Sequence, residues 1–276
     1  MAITAADVNK LRQITGSGMM DCKNALVEAD GDFDKAIDIL RKKGQKVAAK
    51  RADRNANEGF VVAKSTDDNT YGAVIMLNCE TDFVGKTADF IALANAIIDF
   101  AVANRIQNLD QLKQSTLNGH TIESLLTEMT GKTGEKIELN RFEMLEKTFV
   151  SFYNHNGNRL ASIVGFNKRV DNLKTIGHEI AMQIAAMSPI SINENDVPKD
   201  VIEHELEIAR EQVRNEGKPE NMVEKIAQGK LNKFFKENTL IYQDFIRDSK
   251  KTVAQYMAEA DKELHCEGFY RLQLGV

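Results

Sequence analysis

Near its start the chain repeats apolar residues at helical spacing in short bursts separated by polar turns. Val8 and Leu11 share one face of a segment that opens with Thr4 and Asp7, spaced as in a capping box. Gly16-Ser17-Gly18 interrupts it, and Met19, Cys22, Leu26 and Ala29 then recur at helical spacing. Asp30-Gly31 closes that segment, and Asp32 is placed to cap a third carrying Phe33, Ala36, Ile37 and Leu40. The pattern predicts a three-helix bundle over residues 1–43, too small to be robust alone but sufficient as a docking module. Across 44–58 the apolar rhythm thins while Lys46, Lys50, Arg51 and Arg54 accumulate. This stretch reads as a linker, helical in part. A basic run can bind RNA, but without interleaved aromatic residues for base stacking a solvated connection is the preferred reading.

Beyond residue 58 the rhythm changes to that of strands. Phe60-Val61-Val62, the turn Asp67-Asp68-Asn69 and Tyr71 to Leu77 predict one hairpin. Phe149 to Tyr153, the turn His155-Asn156-Gly157 and Leu160 to Phe166 predict another. Each is followed by a helical pattern, Thr87 to Ala103 and Leu173 to Met187, and by a strand-like piece, Arg141 to Leu145 and Tyr270 to Leu274. The expected class is α+β, with two similar lobes packed together over 59–147 and 148–276. An antiparallel helical hairpin, at about 197–237, is inserted in the second. It starts at Pro198, turns at Gly217-Lys218-Pro219, and carries Val201, Leu206, Ala209 and Val213 opposite Met222, Ile226, Leu231 and Phe234. Its apolar stripe suits either an interaction arm or two helices that seal each other. No βαβαβ series appears, which argues against a doubly wound nucleotide fold.

Composition narrows the class. At 276 residues, with 42% apolar and 28% charged content, the chain is an ordinary globular sequence with room for more than one compact unit. A net charge of −5 argues against direct nucleic-acid binding. Cys22, Cys79 and Cys266 are widely spaced and odd in number, making neither a disulfide framework nor a zinc pattern, which fits a reducing cytoplasm. The start, Met1 to Asp7, lacks a signal-peptide pattern, and no run approaches a membrane span of roughly 20 apolar residues. A cytoplasmic protein is expected.

Catalytic constellations fail on inspection. Gly131-Lys132-Thr133 lacks the earlier glycine of a phosphate loop, since Leu126 stands there, and reads as a helix end with a glycine cap. His178-Glu179 and His204-Glu205 begin like zinc-protease helices but lack the second histidine, so both read as helix-surface pairs. Cys22, on an apolar helical face, reads as core packing. The chain therefore reads as one that binds rather than makes bonds, and no metal-ligand pattern stands out in it.

The most informative stretch is Leu77-Asn78-Cys79-Glu80-Thr81-Asp82-Phe83-Val84, where a strand ends and a phenyl ring sits beside a carboxylate at a helix start. Together with Leu11-Arg12 and Thr15 to Leu26, it resembles the bacterial elongation factor Ts family. The resemblance covers nearly the whole chain. It implies a guanine-nucleotide exchange factor that binds elongation factor Tu in its GDP form and requires no cofactor of its own. The N-terminal bundle likewise resembles a ubiquitin-associated-type module. In the family, the turn that is here Thr81, Asp82, Phe83 and Val84 is implicated in dislodging magnesium from the partner. Phe83 is read as a wedge rather than as a staple on its own core, with Asp82 orienting the turn and competing for the ion's neighbours. Arg12, Met19, Met20 and Lys23 are secondary partner positions, Met19 facing the bundle core. His155, at the second hairpin's tip, is a further contact position.

Two departures alter the expectation. Gly85 stands where the family commonly has Ala or Ser, which predicts a looser helix start. The chain ends at Val276, whereas some members continue into a helical module that grips the partner's GTPase domain, so those contacts are expected to be missing. In some members the inserted hairpin mediates homodimerisation. The competing readings are a protein-binding adaptor built on the N-terminal bundle and a nucleotide-using enzyme resting on Gly131-Lys132-Thr133.

Overall fold

The computed structural model describes residues 3–275; Met1, Ala2 and Val276, which entered the reading of the termini, lie outside the described residues. The chain opens with α1 (Ala5–Thr15), α2 (Met19–Glu28) and α3 (Phe33–Arg51). Thr4 and Asp7 form the reciprocal cap of α1, with the Thr4 N–H donating to Asp7 Oδ2 at 3.0 Å. Gly16 ends α1 at φ 65°, a conformation that costs glycine nothing. Leu11, Cys22, Leu26 and Ala36 fill the bundle.

α3 does not stop at residue 43. It runs to Arg51, so most of the expected 44–58 linker is helix. Its inner face there is Gly44, Val47, Ala48 and Arg51, a helical stripe built from small residues that hydrophobic periodicity passes over. Gly44 is buried against Gly131, and a Cβ on Gly131 would lie 2.7 Å from the Gly44 Cα. The bundle is therefore packed on the next unit rather than tethered to it.

That unit comprises β1 (Glu58–Ser65), β2 (Tyr71–Cys79), α4 (Asp82–Gly85), α5 (Ala88–Ala103), α6 (Leu109–Gln114), the two-residue strands β3 (Thr116–Leu117) and β4 (His120–Thr121), α7 (Ile122–Thr133) and β5 (Glu138–Glu146). Its sheet is antiparallel with order β1-β2-β5. Every residue of β2 is buried. Tyr71, Ile75 and Leu77 pack with Phe90, Ala94 and Ile97 of α5, while Val74 and Met76 join Val150, Ile163 and Leu272 from the second sheet.

The second sheet, order β10-β7-β6, draws on β6 (Phe149–Asn154), β7 (Leu160–Phe166) and β10 (Cys266–Gln273). Between β7 and β10 come α8 (Leu173–Met187), α9 (Lys199–Asn215), α10 (Glu220–Asn238), the short pair β8 (Asp244–Phe245) and β9 (Asp248–Thr252), and α11 (Val253–Ala260). Ile176, Ile180 and Ile184 of α8 cover the sheet's outer face. The result is an α+β fold layered helix, sheet, sheet, helix. The open edge of β1 is closed by a side chain and by backbone from the second sheet's hairpin. Asn154 accepts the Ala63 N–H at 2.7 Å and donates to the Ala63 carbonyl at 2.9 Å, while Asn158 carbonyl accepts from the Val61 N–H at 2.7 Å.

Helices α9 and α10 seal each other through Ala209, Val213, Val223, Ala227 and Leu231, with Arg210–Glu224, Arg214–Glu220 and Lys230–Glu216 ion pairs along the seam. Glu179, expected on a helix surface, is instead buried, paired with Arg247 and hydrogen-bonded by the Tyr256 hydroxyl. The β8–β9 loop and α11 supply those partners from distant sequence. Gly131-Lys132-Thr133 forms the last turn of α7, Gly134 caps it at φ 75°, and Lys132 pairs with Asp89. No described helix is long and apolar enough to cross a membrane.

Candidate functional site

The turn after β2 is a single turn of helix, too short to hold itself by propagation of backbone bonds. It is held from outside. Thr81 is extended at φ −125°, and its Oγ1 accepts from the Val84 N–H at 3.5 Å. The same hydroxyl donates to Glu135 Oε1 at 2.6 Å, while the Thr81 N–H donates to Glu135 Oε2 at 3.0 Å. Cys79 Sγ donates to the Thr81 carbonyl at 3.0 Å. Burial, and then the nearby Glu135 charge, push the Cys79 thiol up to about 12, so the sulfur stays a neutral donor.

Glu80, the residue before the turn, is gripped in the same way. Arg51 Nη1 reaches its two carboxylate oxygens at 3.1 and 2.8 Å, and the Lys136 N–H donates to Oε1 at 2.7 Å. Lys136 Nζ also donates to the Ala52 carbonyl at 3.0 Å. The end of α3, the segment after α7 and the turn thus meet at one place. Sequence reading passed over Arg51, Glu80 and Glu135. Glu80 adjoins the motif and was open to notice, but nothing local marks Glu135 or Arg51 as its neighbours.

Within the turn the side chains divide sharply. Val84 packs against the core of the first unit, whereas Phe83 is 82% exposed. The inward apolar position of the turn is taken by Val84, not by Phe83. Asp82 accepts from Lys86 Nζ at 2.5 Å, and that bond, followed by the lysine's charge, holds its carboxyl below the usual range. The Glu58–Arg159 pair stands nearby, and Asp82 adds to the pull that raises the guanidinium's pKa after Glu58 itself. Gly85 is not loose. It is buried, and a Cβ there would meet Cys79 Sγ at 3.3 Å and the Gly59 carbonyl at 3.4 Å, so its small size lets the turn press onto β1 and β2.

The secondary positions are distributed elsewhere. Arg12, Met20 and Lys23 are exposed, Met20 at 64%, beside exposed Ile14 and Val27. Met19, expected to face the bundle core, is 52% exposed. It is the first residue of α2, where side chains tilt back toward the helix start and so overhang the end of the bundle. The Gly16 loop before it rests on Lys132, whose partner Asp89 lies in the first turn of α5, directly after α4. His155 is exposed at the tip of the β6–β7 hairpin, with Nδ1 3.0 Å from the Tyr153 hydroxyl. The same loop carries Arg159, so the structure brings that tip to the Glu58 side of the turn.

Comparison with known proteins converges on one family. The profile described as Elongation factor TS matches residues 80–276, starting one residue before the turn. A protein of Flavobacterium psychrophilum named elongation factor Ts is 52% identical over 273 residues, covering 99% of each chain. A Christiangramia forsetii protein of the same name is 51% identical over 273 residues with the same coverage, and one from Amoebophilus asiaticus is 50% identical over 276 residues, all of both chains. A turn that exposes Phe83 beside Asp82, a profile match over most of the chain, and full-length relatives at half identity lead to one assignment: the chain belongs to the elongation factor Ts family.

Proposed function

We infer that this chain is a guanine-nucleotide exchange factor that binds elongation factor Tu in its GDP form and promotes GDP release during translation elongation. The observation that carries the reading is Phe83, an almost fully solvated aromatic ring on a turn anchored from behind. In the bound GTPase, magnesium bridges the diphosphate and the protein and neutralises charge that would otherwise favour dissociation. Phe83 wedges beside that site and shifts the elements supporting the metal. Asp82 presents negative charge where the ion's own ligands lie, and Thr81 and Val84 seat the turn. The free energy for this distortion comes from contacts elsewhere.

Those contacts are assigned to Arg12, Met19, Met20 and Lys23 on the N-terminal bundle, which we read as a docking module of the ubiquitin-associated type, and to His155. The remaining division follows the sequence reading: a first lobe carrying the turn, and a similar second lobe with the inserted hairpin as a homodimerisation arm. The factor works in the cytoplasm by binding and makes no direct contact with nucleic acid. Linkage demands reciprocity: a factor that weakens GDP binding is itself weakened by GDP in the same ratio. Incoming GTP then expels it.

Stopped-flow release of a fluorescent GDP from elongation factor Tu of the same source tests this. Release accelerates with factor concentration to a plateau. An observed rate independent of the factor would end the proposal.

A further inference from the structure

The turn and the segment between α7 and β5 hold each other reciprocally. The Glu135 carboxylate takes both donors of Thr81, its N–H and its hydroxyl, while the Glu80 carboxylate takes the Lys136 N–H. Each strand of the clasp contributes a carboxylate and receives one, although the two segments are 54 residues apart in sequence. Arg51, at the end of α3, closes the clasp on Glu80 from the bundle side. Charge-assisted hydrogen bonds of this kind are about twice as strong as neutral ones and fix direction as well as distance.

We propose that Glu135 is a positioning residue for nucleotide exchange, holding Thr81 through the clasp with Glu80 and Arg51 so that Phe83 projects rigidly toward the partner. The inference rests on the exchange reading above and names what makes the turn stiff. A wedge transfers binding energy into a partner only if its base yields less than the target does. A one-turn helix offers no such stiffness by itself, and its pre-organisation must come from outside. Val84 and Gly85 seat the far end of the turn on the core, and Thr81 fixes its near end, where the buried strand gives way to the helix. Removing the Glu135 carboxylate leaves the Thr81 donors without their partner and lets the turn sample orientations in which Phe83 misses its target. Arg51 extends the consequence: the helix that ends the docking bundle is tied to the base of the exchange turn, so seating one orients the other.

The test uses the full chain and GDP-loaded elongation factor Tu, with Glu135→Gln, Glu135→Ala, Phe83→Ala and the Glu135→Ala/Phe83→Ala double variant. Plateau release rate, half-saturating factor concentration and melting temperature are measured for each. Glu135→Ala should lower the plateau roughly tenfold while half-saturation stays within about twofold, as for an interaction felt only in the distorted complex. Glu135→Gln, which keeps one acceptor, should fall between Ala and the native chain. In the Phe83→Ala background, Glu135→Ala should have no further effect, because both act through one ring. A native plateau for folded Glu135→Ala, or an equal loss with and without Phe83, overturns the clasp while leaving exchange intact. If Glu135→Ala is unfolded at the assay temperature, Glu135→Gln decides alone, a native plateau again overturning it. No effect of Phe83→Ala overturns the wedge, and with it the role of the clasp.

Discussion

Phe83 is the most exposed large apolar side chain among the described residues, and leaving a phenyl ring in water forgoes about 1.5–3 kcal/mol of burial. A ring kept out of its own core is expected to find burial elsewhere. Phe83→Ala should leave stability within about 0.5 kcal/mol of native, since no intramolecular packing is lost. It should lower the GDP-release plateau by about 2 kcal/mol, roughly 30-fold, as when a central interface aromatic is truncated. A melt and a stopped-flow trace on the same sample separate the two effects. Residue-level reading identifies the Thr81–Val84 turn, and only the family resemblance, not the local pattern, turns Phe83 outward. Whether Phe83 or Val84 turns inward depends on how α4 lies on β1 and β2, and that in turn depends on Gly85 fitting beneath Cys79. Met19 was misread for a related reason: helical spacing assigns a face, but not where the neighbouring helix stops.

At the scale of elements, the α3–α7 crossing controls how the bundle sits. Gly44 and Gly131 meet backbone to backbone, and Gly131 has no room for a methyl group. Alanine at a helix interior position normally gains up to about 1 kcal/mol over glycine. At Gly131 that gain is overcome by a clash that forces α3 and α7 apart, giving a net loss on the order of 1 kcal/mol or more. Gly229, in α10, has open space around its Cβ direction, so Gly229→Ala should instead stabilise the chain by about 0.5–1 kcal/mol. Urea midpoints for the pair should move in opposite directions; parallel shifts would refute the packing argument. Sequence reading makes 44–58 a linker that is helical in part, and does not join its 44–51 portion to α3, because a helix packed largely through small residues shows little hydrophobic contrast.

Across the whole molecule, burial is carried by the two sheets facing each other with α5 and α8 outside them. That arrangement encloses Cys79 and Cys266, while Cys22 is buried in the core of the N-terminal bundle. A thiol whose ionisation is pushed up to about 12, as for Cys79, gives almost no thiolate at ordinary pH, and access is blocked as well. Native protein should therefore resist an aromatic disulfide reagent between about pH 7 and 9, and three thiols should titrate only after denaturation. Prompt labelling of Cys79 in the native state would mean that the sheet end beneath the turn opens readily. The layered core also explains why β2 shows no polar face in the sequence: it is covered on both sides, by α5 and by the second sheet.

What the sequence determined by itself was everything set by interactions within a few residues. The Thr4–Asp7 cap, the Gly16 stop, the Asp32 cap, both hairpins and the paired helices of the insertion were all legible, because their periodicity and capping chemistry are local. The motif that names the family was legible for the same reason. Tertiary structure decided how these pieces act on one another. Glu135 reaches Thr81, Arg51 reaches Glu80, Asn154 pairs with Ala63 and Tyr256 finds Glu179 across separations of 54, 29, 91 and 77 residues. Such pairs leave no trace in a local pattern, since chain entropy opposes them until the packed core brings both ends to one place.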